Sequence, residues 1–88
     1  MAYFFHPEAA SEHLLQIAWY EQQSSGLGKR YIDAFSKAMQ NACSRPESFP
    51  IYSEPDIRRV LFRDFPYTVF FREKNAQIEV LAVAAHKR

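Results

Sequence analysis

A chain of 88 residues is enough for one domain and no more, and a domain this small keeps a thin margin of stability. Hydrophobic residues at 48%, aromatics at 16% and only two glycines exclude a linker or low-complexity chain. A net charge of +1 gives the whole chain no nucleic-acid signature, and a lone cysteine, Cys43, excludes an internal disulfide.

The distribution of charge says more than its total. Residues 1–56 carry four Lys/Arg against seven acids, a net of −3. Residues 57–88 carry seven (Arg58, Arg59, Arg63, Arg72, Lys74, Lys87, Arg88) against three acids, a net of +4. A basic C-terminal third on a weakly acidic body suggests an anionic partner for that third; the plainer reading is a solvated, charged sheet face. No apolar run has the length of a membrane span, and the N-terminus lacks a basic stretch followed by a long apolar one. The expectation is a cytoplasmic protein, in a reducing compartment, with no membrane partner.

In chain order, residues 2–6 are short, aromatic and stopped by Pro7, and read as a first strand. Pro7 suits the first position of a helix, and Glu8 suits the positive end of its dipole. Residues 8–23 then carry helical periodicity, with Ala10, Leu14, Ile17 and Ala18 on one stripe, widened by Leu15 and Trp19. Glu8, Glu12, Gln16 and Gln23 fall mostly opposite. Ser24-Ser25-Gly26-Leu27-Gly28 breaks the pattern and predicts a tight turn, with the serines available as caps. A second helix to about Ser44 places Tyr31, Phe35, Ala38, Met39 and Ala42 on one face. So short a joint predicts an antiparallel helical hairpin.

Residues 45–56 hold three prolines and read as an extended connector, pinned to the body by Phe49, Ile51 and Tyr52. Three strands follow, at 57–63, 67–72 and 77–85, the last two joined by a turn at Lys74-Asn75-Ala76. The order β-α-α-β-β-β predicts an α+β fold, with the helical hairpin packed on one face of a small, mainly antiparallel sheet. The neighbour of the first strand stays open between the last two strands.

The candidates for chemistry are on the strands. At strand spacing, Arg59, Leu61 and Arg63 share one face, and Arg58, Val60 and Phe62 share the other. With Tyr67, Arg72 and His86 on neighbouring strands, Arg59 and Arg63 are candidates for one phosphate-binding surface, since guanidinium offers a planar fork of donors. A His or Tyr there would serve as proton carrier for RNA cleavage. Exposed arginines on an antiparallel strand are also ordinary. His6 and His13 read as structural or solvated. No histidine pair has metal-ligand spacing, so no metal site is expected. Cys43 reads as a small buried apolar side chain. No nucleophile elbow and no phosphate-binding glycine loop is present.

The run Asp56-Ile57-Arg58-Arg59-Val60-Leu61-Phe62-Arg63-Asp64-Phe65-Pro66-Tyr67-Thr68-Val69-Phe70-Phe71-Arg72 resembles the sheet segment of the ParE/RelE toxin family: an Arg-Arg-Val strand, Phe-Pro-Tyr, then an aromatic strand ending in Arg. Gln77 to Val83 followed by His86 resembles the family's last strand. Trp19-Tyr20-Glu21, the Ser25-Gly26-Leu27-Gly28 turn with Lys29-Arg30-Tyr31, and Arg45 to Pro50 are similar to its helix ends and connector. The resemblance covers nearly the whole chain.

It implies one toxin domain over residues 1–88, without a cofactor, paired with a small cognate antitoxin of the ParD or RelB kind. The acidic C-terminal segment of such an antitoxin folds onto the toxin, at a cost in ordering entropy. RelE-like members cut messenger RNA on the ribosome, and ParE-like members poison DNA gyrase. The Ser-Gly-Leu-Gly turn and the Arg-Arg-Val and Phe-Pro-Tyr blocks look more like the ParE side. On that side no catalytic residue is expected, and Arg58, Arg59, Arg63, Arg72, Lys87 and Arg88 are the candidates for binding antitoxin or target. On the RelE side the candidate catalytic set is Arg59, Arg63, Tyr67, Arg72 and His86, with Arg stabilising phosphorane charge and His or Tyr moving protons. Many relatives continue with a basic, aromatic stretch where this sequence reaches Arg88. In ParE-like toxins that stretch is tied to toxicity, which leaves activity more open than fold.

Overall fold

The computed structural model describes residues 1–86. In chain order they form β1 (Tyr3–Phe5), α1 (Pro7–Gln23), α2 (Leu27–Ser44), a 3-10 turn (Pro46–Ser48), β2 (Ile51–Ser53), β3 (Ile57–Leu61), β4 (Tyr67–Lys74) and β5 (Gln77–Ala85). The expected α+β order is present with one strand more. The connector read as merely extended contains β2, which pairs antiparallel with β3 at Ile51↔Arg58 and Ser53↔Ile57. Of its three expected anchors only Phe49 packs inward, against Phe71; Ile51 and Tyr52 are exposed. Their side chains lie on a short edge strand that no helix covers.

The five strands form one sheet in the order β1-β5-β4-β3-β2. β3, β4 and β5 make the antiparallel meander. β1 runs parallel to β5, with Tyr3 opposite Ile78 and Phe5 opposite Val80. A parallel neighbour needs a long crossover, and the helical hairpin supplies it. β4 and β5 meet at a two-residue turn in which Asn75 and Ala76 both take positive φ, 54° and 60°, the backbone that matches strand twist in a tight hairpin.

α1 begins at Pro7, where the His6 Nδ1 accepts from the Glu8 N–H at 3.2 Å. The turn into α2 is not capped by serine as expected. Gly26, at φ 87°, is the cap, and the Glu21 carboxylate reaches forward from α1 to accept from the N–H of Gly26 at 3.1 Å and of Gly28 at 3.0 Å. An anion at a helix start satisfies N–H groups that the helix itself leaves unpaired. At Gly28 the hairpin closes tightly: a Cβ there would lie 3.1 Å from the Ile17 carbonyl oxygen.

α2 buries the expected face, Tyr31, Phe35, Ala38, Met39 and Ala42, together with Ala34. α1 does not. Leu14, Leu15 and Trp19 are 67%, 71% and 54% exposed, and Ala18 is exposed as well. The inward stripe is Ala9, His13, Gln16, Ile17 and Tyr20. His13 is half-buried between Phe5 (5.1 Å between ring centroids) and Phe35 (4.4 Å). Gln16, expected on the outer side, donates to the Val83 carbonyl at 3.0 Å and accepts from the Tyr31 hydroxyl. The apolar residues of α1 outnumber the positions its packed face offers, and that face accepts the His13 ring by packing it on aromatic rings and the Gln16 amide by hydrogen-bonding it. No helix of the described residues is long and apolar enough to cross a membrane.

Candidate functional site

Alternation along the meander sorts its residues onto two faces. The helix side takes Val60, Phe62, Tyr67, Val69, Phe71, Ile78, Val80 and Val83, all buried. The other side is built from cross-strand rows. Arg59 lies opposite Phe70, which lies opposite Ala82; Leu61 lies opposite Thr68, which lies opposite Ala84; Arg72 lies opposite Glu79, which lies opposite Phe4. No helix packs on these rows, so this open face is the candidate interface.

Its centre is a cation on aromatic rings. The Arg59 guanidinium sits 4.8 Å from the centroid of the Tyr52 ring, and Tyr52 packs on Phe70 at 5.0 Å. A guanidinium held over a ring keeps its donors aimed outward. On one side of this centre the Arg72 Nε donates to the Glu79 carboxylate at 3.0 Å. Glu79 is buried, and the pair neutralises most of the charge that Arg72 would present. On the other side Thr68 Oγ and His86 Nε2 are hydrogen-bonded at 2.7 Å, and the His86 N–H donates to the Pro66 carbonyl at 2.8 Å.

The expected convergence of Arg59, Arg63, Tyr67, Arg72 and His86 is not what the fold builds. Tyr67 points the other way. It is buried with Tyr31 (5.3 Å between centroids), Tyr20 (6.0 Å) and Phe62 (5.7 Å). Burial, with Tyr67 close by, pushes the Tyr20 hydroxyl up to about 12, and burial pushes Tyr31 higher still. These are phenols held neutral, packed for stability. Arg63 lies beyond the end of β3, because the strand stops at Leu61 and the chain turns at Asp64, φ 72°. It lines a depression with Arg30 and Lys37 of α2. Arg58 faces inward and donates to the Phe49 carbonyl, which ties the 3-10 turn to the sheet. Lys87 and Arg88 lie outside the described residues.

Arg59, Arg72 and His86 therefore share the open face, each with a partner, while Arg58, Arg63 and Tyr67 do not join them. Tyr52, Phe70, Thr68 and Glu79 belong to the face and were not anticipated. Phe70 and Thr68 carried a signal, since they alternate with the apolar Val69 and Phe71, and so did Glu79 between Ile78 and Val80. Among the described residues no group of three or more His, Cys, Asp or Glu is placed to hold a metal ion. Burial pushes the Cys43 thiol up, away from the reactive thiolate.

The fold is shared with toxins of known structure. It is similar to a chain of the chromosomal ParDE toxin–antitoxin system from P. aeruginosa, with a TM-score of 0.68 at 16% identity over 99% of this chain and 97% of that one. It is also similar to the isolated E. coli RelE toxin, with a TM-score of 0.66 at 15% identity over 99% of this chain and 85% of that one. No curated protein sequence matches the chain. The family model described as ParE toxin of the type II toxin–antitoxin system, parDE, matches residues 3–88, and the chain belongs to that toxin family.

Proposed function

We propose that residues 1–88 act as one cytoplasmic toxin domain that inhibits growth by binding DNA gyrase, and that a cognate antitoxin of the ParD kind neutralises it. The observation that supports binding over catalysis is the dispersal of the candidate ribonuclease set. Tyr67 is buried in the aromatic core, Arg63 lies beyond the strand end, and Arg72 is held by Glu79 at 3.0 Å. General acid–base cleavage needs donors and a proton carrier within hydrogen-bond reach of one phosphate. Binding needs only a surface. The face centred on Arg59, Tyr52 and Phe70 has the aromatic and Arg composition of residues that dominate interface energetics.

Inducing the chain without its antitoxin, with pulse-labelling of DNA and protein synthesis in parallel, tests this. The expected result is an early fall in DNA synthesis with a DNA-damage response. A first fall in protein synthesis, with DNA synthesis spared, overturns the gyrase reading in favour of ribosome-dependent cleavage of messenger RNA. His86 is then the first residue to mutate. Unimpeded growth leaves a family member that only binds its antitoxin.

A further inference from the structure

The two edges of the sheet are built differently. The β2 edge is short, shifts register between Ile51 and Ser53, and is bracketed by Pro50 and Pro55, with Glu54 and Asp56 beside it. Prolines, charges and irregular pairing keep an exposed edge from recruiting another strand. The β1 edge has none of these: residues 2–6 include no Pro, Lys, Arg, Asp or Glu. β1 is the last strand on its side of the sheet. Its backbone bonds to β5 come from alternate residues. The Ile78 N–H donates to the Ala2 carbonyl and the His6 N–H donates to the Val80 carbonyl, both at 2.9 Å. In that ladder the N–H and C=O of Tyr3 and Phe5 point away from β5, to a side where no strand lies among the described residues.

The groups along this edge fit an inverted copy of themselves. Tyr3 and Phe5 flank Phe4. A two-fold axis beside Phe4 therefore sets Tyr3 of one copy opposite Phe5 of another, and each exchanges its N–H and C=O with the other. Phe4 then faces Phe4 across the axis as the closely spaced, non-hydrogen-bonded pair, in which aromatic side chains meet. Phe4 is 36% exposed, and Tyr3 beside it is exposed as well. On the helix side a hollow of about 490 Å³ adjoins the edge, lined by residues 1–3 and by Ser36, Met39, Gln40 and Cys43 of α2, without a charged side chain. The same register carries Pro7 of the second copy, exposed at the start of α1, to the level of Met1 and the mouth of this hollow. No like charges meet, because the strand is uncharged on both sides of the axis.

We propose that β1 is a self-association edge: a second copy of this chain adds to it antiparallel, about a two-fold axis at Phe4, and joins two sheets into one. The axis stands perpendicular to the sheet, so both helical hairpins lie on one side and both Arg59 faces on the other. A dimer thus presents that face twice, side by side. The contact rests on a few backbone bonds and a pair of aromatic rings, which makes a weak dimer, with a Kd on the order of 100 μM. This edge lies at the far side of the sheet from β2. Self-association there needs neither an antitoxin nor a target, and it stands or falls without reference to growth arrest.

Sedimentation velocity on the full chain from about 10 μM to about 1 mM tests this, with hydrogen exchange of the isotopically labelled chain at both ends of that range. The expected result is a shift from monomer to dimer with concentration, and slowed exchange of the Tyr3 and Phe5 N–H at the high end. Phe4→Lys sets two like charges face to face on the axis and weakens self-association roughly tenfold or more, and Phe4→Glu does the same. An equal mixture of these two variants dimerises again, because the axis then joins opposite charges. Unchanged amide positions of Val69 and Phe71 show that each variant keeps the fold, and exchange in the parent decides without any variant. Four results overturn the proposal: a monomer across the whole range, dimers of parent strength in both Phe4 variants, a mixture of folded variants that stays monomeric, or protection that falls on Arg59 and Phe70, or on Leu15 and Trp19 of α1, instead of Tyr3 and Phe5.

Discussion

On its helix side β4 sets Tyr67, Val69 and Phe71 into a core of rings and branched side chains; on its other side the same strand sets Thr68, Phe70 and Arg72 on the face that no helix covers, Thr68 buried and the other two half-buried. The two sets differ by one residue in phase. The inner set is closed by α1 and α2, where Tyr20 and Tyr31 are held neutral and Gln16 is engaged. On the outer face each polar side chain is held in place: Arg59 by the Tyr52 ring, Arg72 by Glu79, His86 by Thr68. Stability and recognition are thus divided between the faces of one sheet, and substitutions on the two sides are expected to read out differently.

The largest effect belongs to the inner face. Phe71 is fully buried, and Phe71→Ala should cost about 3–5 kcal/mol. A small domain has about 5–15 kcal/mol in total. Denaturant unfolding should show the midpoint collapse with the slope nearly kept. A loss under about 1 kcal/mol would mean that the inner face is not the core.

The hairpin that closes this core comes next. Gly28→Ala places a methyl against the Ile17 carbonyl oxygen at 3.1 Å and against Glu21, and should cost about 1–3 kcal/mol. The backbone oxygen cannot swing aside as a side chain does. A Gly28→Ala chain as stable as the parent would show that α1 and α2 slide apart easily.

The inner face also titrates, from both ends of the pH scale. Tyr20 has its hydroxyl pushed from 10 to about 12 by burial and by Tyr67. The folded chain disfavours the phenolate, so this contribution is complete below the unfolded value and is lost as pH rises from about 10 through about 12. Burial lowers His13 below its ordinary 6.5, and its buried Nδ1 has no hydrogen-bond partner among the described residues. That contribution is complete above 6.5 and is lost as pH falls through the lowered folded value. In melting curves across pH, Tyr20→Phe should flatten the alkaline limb and His13→Leu the acid one. An unchanged acid limb in His13→Leu would move the cause to the carboxylates.

The division between faces was partly legible in the sequence. The α2 stripe was, because Tyr31, Phe35, Ala38, Met39 and Ala42 leave no other apolar face. The meander was too, because the turns interrupt alternating runs. α1 was misjudged because its hydrophobic residues exceed its contact area, and the positions that pack carry His13 and Gln16, whose partners lie on Phe5, Phe35 and Val83, far along the chain. At the site, parity separates Arg58 from Arg59, but parity cannot say where a strand stops. Arg63 left the face because β3 ends at Leu61, and Tyr67 left it because β4 begins in the core phase. Tyr52 was beyond reach, since its role depends on β2 lying against β3, a pairing no local pattern specifies.

The smallest effect on stability should accompany the largest effect on function. Arg59 is exposed, and its visible contact is the Tyr52 ring, so Arg59→Ala should move unfolding by no more than about 0.5 kcal/mol. If the open face carries recognition, the same variant should relieve growth arrest when induced alone. Arg59→Lys sharpens the point: it keeps the charge but loses the planar fork, and an interface that uses the fork will be weakened by it as well. Growth arrest retained in both variants, with the fold intact, would take recognition away from the Arg59 face and leave its aromatic platform as ordinary edge packing of β2. Arrest relieved in both, with unchanged unfolding, would separate the two faces completely, because no loss of folded protein would be left to account for the loss of toxicity.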